Sequence, residues 1–365
     1  MLASTTGTEV VVRDLALGLK QRGHQPIVYS PKLGPMAERI RAEGVPVVSE
    51  LRAITEKPDI IHGHHHPQAM AALMFFPEVP GVFVCHDALA WHDEAPIFPR
   101  ILRYVAVDRR CSKRLLAQAA VPPERVQVIL NAIDLQRFRQ RGPLPSHPRR
   151  ALIFSNFPNS THVPAVRQAC ARTGLQVDVF GHHRSQANFE PEKVLREYDL
   201  VFAKARCAIE AMASGAAVVL CDAGGVGPMV SAGEFDNLRA LNFGGGTLVK
   251  PLDPSLIAAQ IERYDADDAA AVCRRVRSAA DLNDALSQWL ALYEEVVAEY
   301  SGASISPAEE GSAASAYLVR WGWSGRIAWE LEQLRKLQRL PVVGPMLENT
   351  ARRALRRLAS SRVAG

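Results

Sequence analysis

Apolar residues fall at helical spacing from Val10 to Leu19 and the run stops at Gly23, which predicts a first helix. Residues 26–30, PIVYS, read as a strand, followed by a helix over 35–43 and a short strand over 45–49. Residues 57–74 give a strand, a histidine-rich turn and a helix. The apolar run GVFVC, 81–85, and RYVAVD, 103–108, are further strands, with a helix over 111–119 behind them. Residues 139–150, RQRGPLPSHPRR, have no periodicity and read as a linker. Beyond it strands at 151–155, 175–181 and 199–205 alternate with helices at 163–173 and 190–198. A helix containing Glu210 stops at Gly215, the strand AAVVLCD follows, and a glycine turn leads into a new helix at Pro228. A strand and helix over 244–264 and a helix over 282–300 complete the periodic part. Strands alternating with helices in this way predict an α/β fold.

At 365 residues the chain suits two domains, and 48% apolar with 22% charged residues is the balance of a globular protein. A net charge of +5 is too small for this length to argue for nucleic acid. The cysteines at 85, 111, 170, 207, 221 and 273 have no close spacing, which predicts reduced core thiols rather than a disulfide framework or zinc ribbon. The longest apolar run, 69–76, is far below a membrane span and no signal-peptide pattern opens the sequence, so the expected location is cytoplasmic.

Residues 204–227 carry the densest candidate chemistry. Lys204 and Arg206 stand at the expected N-terminus of a helix, where unpaired N–H groups and the dipole favour a phosphate. Glu210 lies one turn further on and can accept two hydrogen bonds from a diol such as a ribose. Gly224, Gly225 and Gly227 follow a strand, where backbone amides can approach a ligand. A solvated basic turn, a surface glutamate and an ordinary loop would give the same residues.

EAMASG followed by a valine-rich strand and Gly-Gly resembles the donor-site signature of the retaining GT-B glycosyltransferases of the GT4 type. The resemblance implies a fold of two Rossmann-like domains facing across a cleft. It also implies a nucleotide sugar in the second domain, with its ribose on Glu210 and its sugar and diphosphate at Gly224 and Gly225. Two features of the family are missing. Phe202 occupies the position of the first glutamate of the family's Glu-x7-Glu pair. The arginine and lysine that clamp the diphosphate after the first strand of that domain are replaced by Asn156, Asn159, Ser160 and His162. Lys204 and Arg206 are therefore expected to take over the clamp.

The opening residues resemble the family's Gly-Gly-Thr-Glu loop, which puts Gly7 and Thr8 opposite the donor. The strand that precedes that loop in the family has no counterpart here. A sheet lacking it would leave neighbouring edges unpaired, and a true start further upstream is expected. His62, His64, His65 and His66 invite a metal, but alternate strand residues face opposite ways and no carboxylate or cysteine stands beside them at ligand spacing. The resemblance implies acceptor contact at His64 instead, and no metal or other cofactor. His86 and Asp87 end the strand at 81–85, beyond which α/β ligands bind. By resemblance His86 meets the transferred sugar as the catalytic-centre histidine, and Asp87 orients it or binds acceptor; a strand-end histidine bonded to backbone is the other reading. Asp93 and Glu94 are further acceptor-side candidates, while Asn131 and Asp134 lie in a segment resembling the one that closes the family's first domain and are expected to be structural.

The expected organisation is a first domain over 1–138, a linker over 139–150, a nucleotide-sugar domain over 151–282 and a helix over 283–300 packing back on the first domain. A flexible spacer over 301–325 and a basic amphipathic helical tail over 326–365 follow. The tail has nine Arg or Lys against three Glu, with Trp321, Trp323 and Trp329 nearby, and suits either an anionic membrane face or a partner subunit. The implied activity is metal-independent transfer of a sugar from a UDP- or GDP-sugar to an acceptor hydroxyl, on a sugar or glycolipid, with retention, in cell-surface polysaccharide or glycolipid synthesis. A degenerate partner-binding protein and a nucleotide-sugar 2-epimerase are the alternatives.

Overall fold

The computed structural model describes residues 2, 7–155, 161–180, 190–302 and 305–338, the last stretch as backbone alone from 323 onward. Asn156, Asn159 and Ser160, Trp323 and Trp329 as side chains, and the tail beyond 338 lie outside the described residues. Two compact units are present, Met1–Pro96 with Arg100–Ala303, and Ile97–Pro99 with Ser304–Gly365.

In the first unit the chain opens with α1 (Gly7–Gln21), β1 (Val28–Tyr29), α2 (Pro35–Ala42), β2 (Val47–Val48), β3 (Ile61–Gly63) and α3 (His66–Phe75). It continues through β4 (Gly81–Cys85), β5 (Ile101–Ala106), α4 (Arg109–Leu116) and β6 (Val126–Val128). Strands β3, β4, β5 and β6 form a parallel sheet in that order, and β1 with β2 forms a separate parallel pair. Every residue of β4 is buried, as expected of an apolar run covered on both faces. Among the described residues the β1–β2 pair and the β3–β6 sheet are not hydrogen-bonded to each other.

The second half contains β7 (Arg150–Phe154), α5 (His162–Arg172), β8 (Gln176–Phe180), α6 (Pro191–Val194), β9 (Leu200–Ala203) and α7 (Ala205–Ala213). After these come β10 (Ala217–Asp222), β11 (Gly225–Met229), α8 (Phe235–Arg239), α9 (Pro254–Ile261), α10 (Ala266–Ala279) and α11 (Leu282–Ser301). The sheet order is β11-β10-β9-β7-β8, parallel except for β11. Alternate residues enter opposite cores. Leu152, Phe154, Val201, Ala203, Val218 and Leu220 pack on one face, and Ile153, Leu200, Phe202, Val219 and Cys221 on the other.

Helix α7 ends as expected, with Gly215 at φ +93 and the Ala216 N–H bonded back to the Ala211 carbonyl. The next segment differs from expectation. Residues 225–229 form no turn into a helix at Pro228; β11 folds back antiparallel on β10, and Val226 bridges Lys250. A Cβ on Gly225, whose φ is +137, would meet the Lys250 carbonyl oxygen at 2.4 Å, and one on Gly227 would meet that of Thr247 at 2.8 Å. These glycines are required by the crossing backbone of 247–250.

Helix α11 lies on the first half. A Cβ on Gly18 would stand 2.3 Å from a Leu286 methyl, Arg22 donates to the Asn283 carbonyl at 2.8 Å, and Arg103 pairs with Glu299 at 2.6 Å. Cys207 is half-buried and the other cysteines are buried, all as free thiols.

In the second unit one helix, α12 (Pro307–Gln338), runs through most of the stretch expected to be a flexible spacer. Ser306 and Glu309 exchange hydrogen bonds between side chain and backbone N–H at 3.0 and 3.2 Å, a capping box followed by Pro307 at the first helical position. Among the described residues no helix is long and apolar enough to cross a membrane.

Candidate active site

A cavity of about 550 Å³ is lined from the first half by Gly7, Val10, Arg13 and Arg39, and from the second by Ser155, Lys204, Arg206, Glu210 and Asp222. It lies beyond the carboxyl ends of β7, β9 and β10, where α/β sheets place ligands. Lys204 precedes α7 as its N-cap and reaches Asp222 Oδ2 with Nζ at 2.6 Å. Its side chain remains 40% exposed toward the cavity. Asp222 also accepts from Ser155 Oγ at 3.4 Å. Burial pushes the Asp222 carboxyl up, but the Lys204 ammonium outweighs it and holds the group below its ordinary value. Ala205, the residue between Lys204 and Arg206, sits at φ +50, a strained conformation for alanine at the mouth of the site.

Arg206 is buried and already engaged. Its Nε lies 2.8 Å from Glu210 Oε1 on the same helix, one Nη donates to the Ala132 carbonyl at 3.2 Å, and the other binds Asp14 of α1. Asp14 is further held by Arg13 at 3.0 Å and Arg137 at 3.5 Å. Burial raises the Glu210 carboxyl above its ordinary value, with Arg206 opposing. The expected phosphate clamp is thus divided in this structure: Lys204 faces the cavity with one partner, whereas the Arg206 guanidinium ties α7 to α1.

The histidines form a second cluster. His64 Nδ1 lies 2.8 Å from His86 Nε2, and His62 Nδ1 lies 2.5 Å from the Tyr293 hydroxyl on α11. The His86 N–H donates to Asp93 Oδ1 at 3.0 Å. Burial, reinforced by His86, takes the His62 imidazole down to about 3, and burial with His92 takes His86 to about 4, so both are neutral near pH 7. Burial pushes Asp93 up to about 7. Asp87 is exposed and accepts the N–H groups of Leu89 and Ala90 at 2.6 and 2.9 Å, which closes a turn. His65, His92 and Asp93 each bring one ligand atom within 4.8 Å of the others, the set among the described residues that could hold a metal. The sequence alone does not reveal it, because His65 and the pair His92–Asp93 come from different loops.

The sequence-predicted residues fall into three places. Gly7, Lys204, Arg206 and Glu210 share the 550 Å³ cavity. His64 and His86 meet Arg206 in a crevice of about 40 Å³, and Thr8 with His64 also lines a separate cavity of about 600 Å³. Gly224, Gly225 and Asp87 line none of these. Sequence reasoning missed Asp14, Arg13, Arg39 and Arg137. The signal for Asp14 is a carboxylate set among the apolar positions of VVVRDLALGL.

Residues 5–137 match the family model described as Glycosyltransferase Family 4. No curated protein sequence matches the chain. Among solved structures, a glycosyltransferase from Rickettsia africae ESF-5 is 16% identical with a TM-score of 0.57, covering 80% of this chain and 95% of its own. Anabaena Alr3699/HepE in complex with UDP and glucose is 15% identical with a TM-score of 0.57, covering 80% of this chain and 96% of its own. Together with the two α/β halves and the cavity between them, these similarities give the chain the fold of the GT-B glycosyltransferases, with a first half that matches Glycosyltransferase Family 4.

Proposed function

We propose that the chain is a glycosyltransferase that moves a sugar from a UDP- or GDP-sugar to an acceptor hydroxyl, with retention and without a metal. The observation that carries this reading is Lys204, half-exposed at the N-terminus of α7, with Glu210 one turn further along the same cavity. Departure of a diphosphate needs positive charge and amide donors. Lys204 and the first N–H groups of α7 supply both, and Arg206 adds to them when a ligand competes for Glu210. The Glu210 carboxylate accepts the ribose hydroxyls, and Gly7, in the first turn of α1 rather than in a loop, faces the sugar across the cavity. His86, neutral and hydrogen-bonded to His64, bonds a hydroxyl of the transferred sugar, with the acceptor entering on the His64 and Asp87 side. The setting is cell-surface polysaccharide or glycolipid synthesis on the cytoplasmic side. The basic tail holds the enzyme at an anionic membrane face, and loss of liposome binding on deleting residues 312–365 is the test of that part.

A second reading, a partner-binding protein without transferase activity, is favoured by Phe202, which is fully buried in β9 where the family resemblance expects a glutamate. Calorimetric titration of UDP, GDP and ADP into the full chain and into Glu210→Ala separates the two. Saturable binding of one nucleotide, weakened in the variant by about 1–3 kcal/mol for a lost charged hydrogen bond, supports the transferase. No binding of any of the three makes the second reading the better one.

A further inference from the structure

His65, His92 and Asp93 come together from two loops of the first half. His65 is the residue ahead of α3, and His92 and Asp93 lie in a short turn of helix, Trp91–Asp93, beyond β4. Their ligand atoms all lie within 4.8 Å of one another. His92 Nε2 and Asp93 Oδ2 stand 3.5 Å apart. That is long for a hydrogen bond, but close to the roughly 3.3 Å that separates two ligand atoms on a tetrahedral zinc with bonds of about 2.0–2.1 Å.

The backbone holds these residues in place. The Asp93 N–H donates to the Ala90 carbonyl at 3.2 Å, Arg114 donates to the same carbonyl at 2.7 Å, and the His65 carbonyl accepts the Ala69 N–H at 3.0 Å. The Asp93 carboxylate is itself oriented, because Oδ1 accepts the His86 N–H at 3.0 Å and leaves Oδ2 for a cation. Asp93 is 2% exposed, and among the described residues its ion-pair partner is His92. Buried carboxylates are paired or coordinate metals. The His65 side chain makes no capping hydrogen bond to α3, so the helix does not claim its ring.

We propose that His65, His92 and Asp93 form a binding site for one divalent transition-metal ion of the zinc class. Two imidazoles and one carboxylate suit zinc and its neighbours, whereas Mg²⁺ and Ca²⁺ take oxygen ligands. Three protein ligands leave a fourth position for water. Both imidazoles line the cavity of about 600 Å³, which gives the ion its way in. None of the three residues lines the 550 Å³ cavity, so the ion takes no part in the departure of a diphosphate. Its effect is positional: it clips the start of α3 to the loop after β4 and fixes the carboxylate that holds the His86 N–H. The histidines of 62–66 thus divide, with His62 on Tyr293, His64 on His86 and His65 on the metal.

The test uses the full, untagged chain, stripped with a chelator, exchanged into metal-free buffer and titrated with zinc sulfate against a chromophoric zinc indicator. The expected result is one zinc retained per chain, with a melting temperature that rises as zinc is added. The His92 side chain is 38% exposed, so His92→Gln should fold as the parent does. It should bind zinc at least about tenfold more weakly, the least that even loss of an outer-shell partner costs. Asp93→Asn, which keeps an acceptor for the His86 N–H, should weaken binding as much, while His64→Gln should bind as the parent does. No retained zinc, or zinc held equally by His92→Gln, would overturn the proposal. A loss in His64→Gln as large as in His92→Gln would also overturn it, by placing the ion on the strand-end histidines.

Discussion

The Arg206 guanidinium binds the Asp14 carboxylate, joining α7 to α1 across 192 positions of sequence, while its Nε holds Glu210 at 2.8 Å. All three side chains are buried. Removing the cation takes from buried Glu210 its ion-pair partner and leaves Asp14 with Arg13 and Arg137 alone. Arg206→Ala should lose roughly 3–5 kcal/mol of stability, the range for breaking a buried ion pair. Denaturant unfolding measures it, and a loss below about 1 kcal/mol, the level of an exposed pair, would show that this network is solvated in solution.

Lys204 has a different balance, because its side chain is 40% exposed and its partner Asp222 keeps a second donor in Ser155. Lys204→Ala should leave the melting temperature within a few degrees of the parent. Its expected effect is on a bound nucleoside diphosphate, whose dissociation constant should rise about tenfold or more for one lost charge-assisted contact. Calorimetry on the two proteins decides it, and equal affinity would remove Lys204 from the donor site.

The pH dependence follows from the buried imidazoles. His62 and His86 are held at about 3 and about 4, below the ordinary 6.5, by burial first and by their histidine neighbours second. A group depressed in the folded state supports folding above its unfolded value and withdraws that support as the pH falls toward its folded value. Stability should therefore decline from pH 6.5 toward pH 4, by roughly 1–2 kcal/mol per histidine between pH 6.5 and pH 5. Urea midpoints across that range test it. His62→Gln, which keeps a hydrogen-bonding group for Tyr293 but cannot titrate, should flatten the decline.

Gly225→Ala should be destabilising out of proportion to one methyl. At φ +137 any side chain is strained by roughly 1–3 kcal/mol, and here the new Cβ also meets the Lys250 carbonyl oxygen at 2.4 Å. Thermal unfolding should show a clear drop, whereas Gly142→Ala, with nothing within 4 Å, should be nearly silent.

Those glycines show where sequence and structure part. The alternation of strands and helices, the Gly215 stop and the buried run at β4 are local patterns, and each is legible because one element's own periodicity or cap determines it. Residues 225–229 are not legible in that way. GVGPM resembles a turn before a helix because Pro228 suits a first helical position, yet the crossing backbone at 247–250 holds it as a strand. Helix α12 is the opposite case. Its small polar composition suggests a spacer, although the local signal, Ser306, Pro307 and Glu309 in capping order, was already present. In the site, Lys204 and Glu210 could be picked out from their place on one helix. The link from Arg206 to Asp14 could not, because only the folded chain brings them together.

Phe202 carries one more consequence. Its ring is fully enclosed in the core under β9, among side chains that include Ile153 and Val219. A single substitution to glutamate would therefore not add a second carboxylate to the cavity; it would lodge an unpaired anion in hydrocarbon and destabilise the sheet. A carboxylate at 202 therefore requires several core positions to change with it, and within α7 Glu210 stands as the lone carboxylate beside the 550 Å³ cavity.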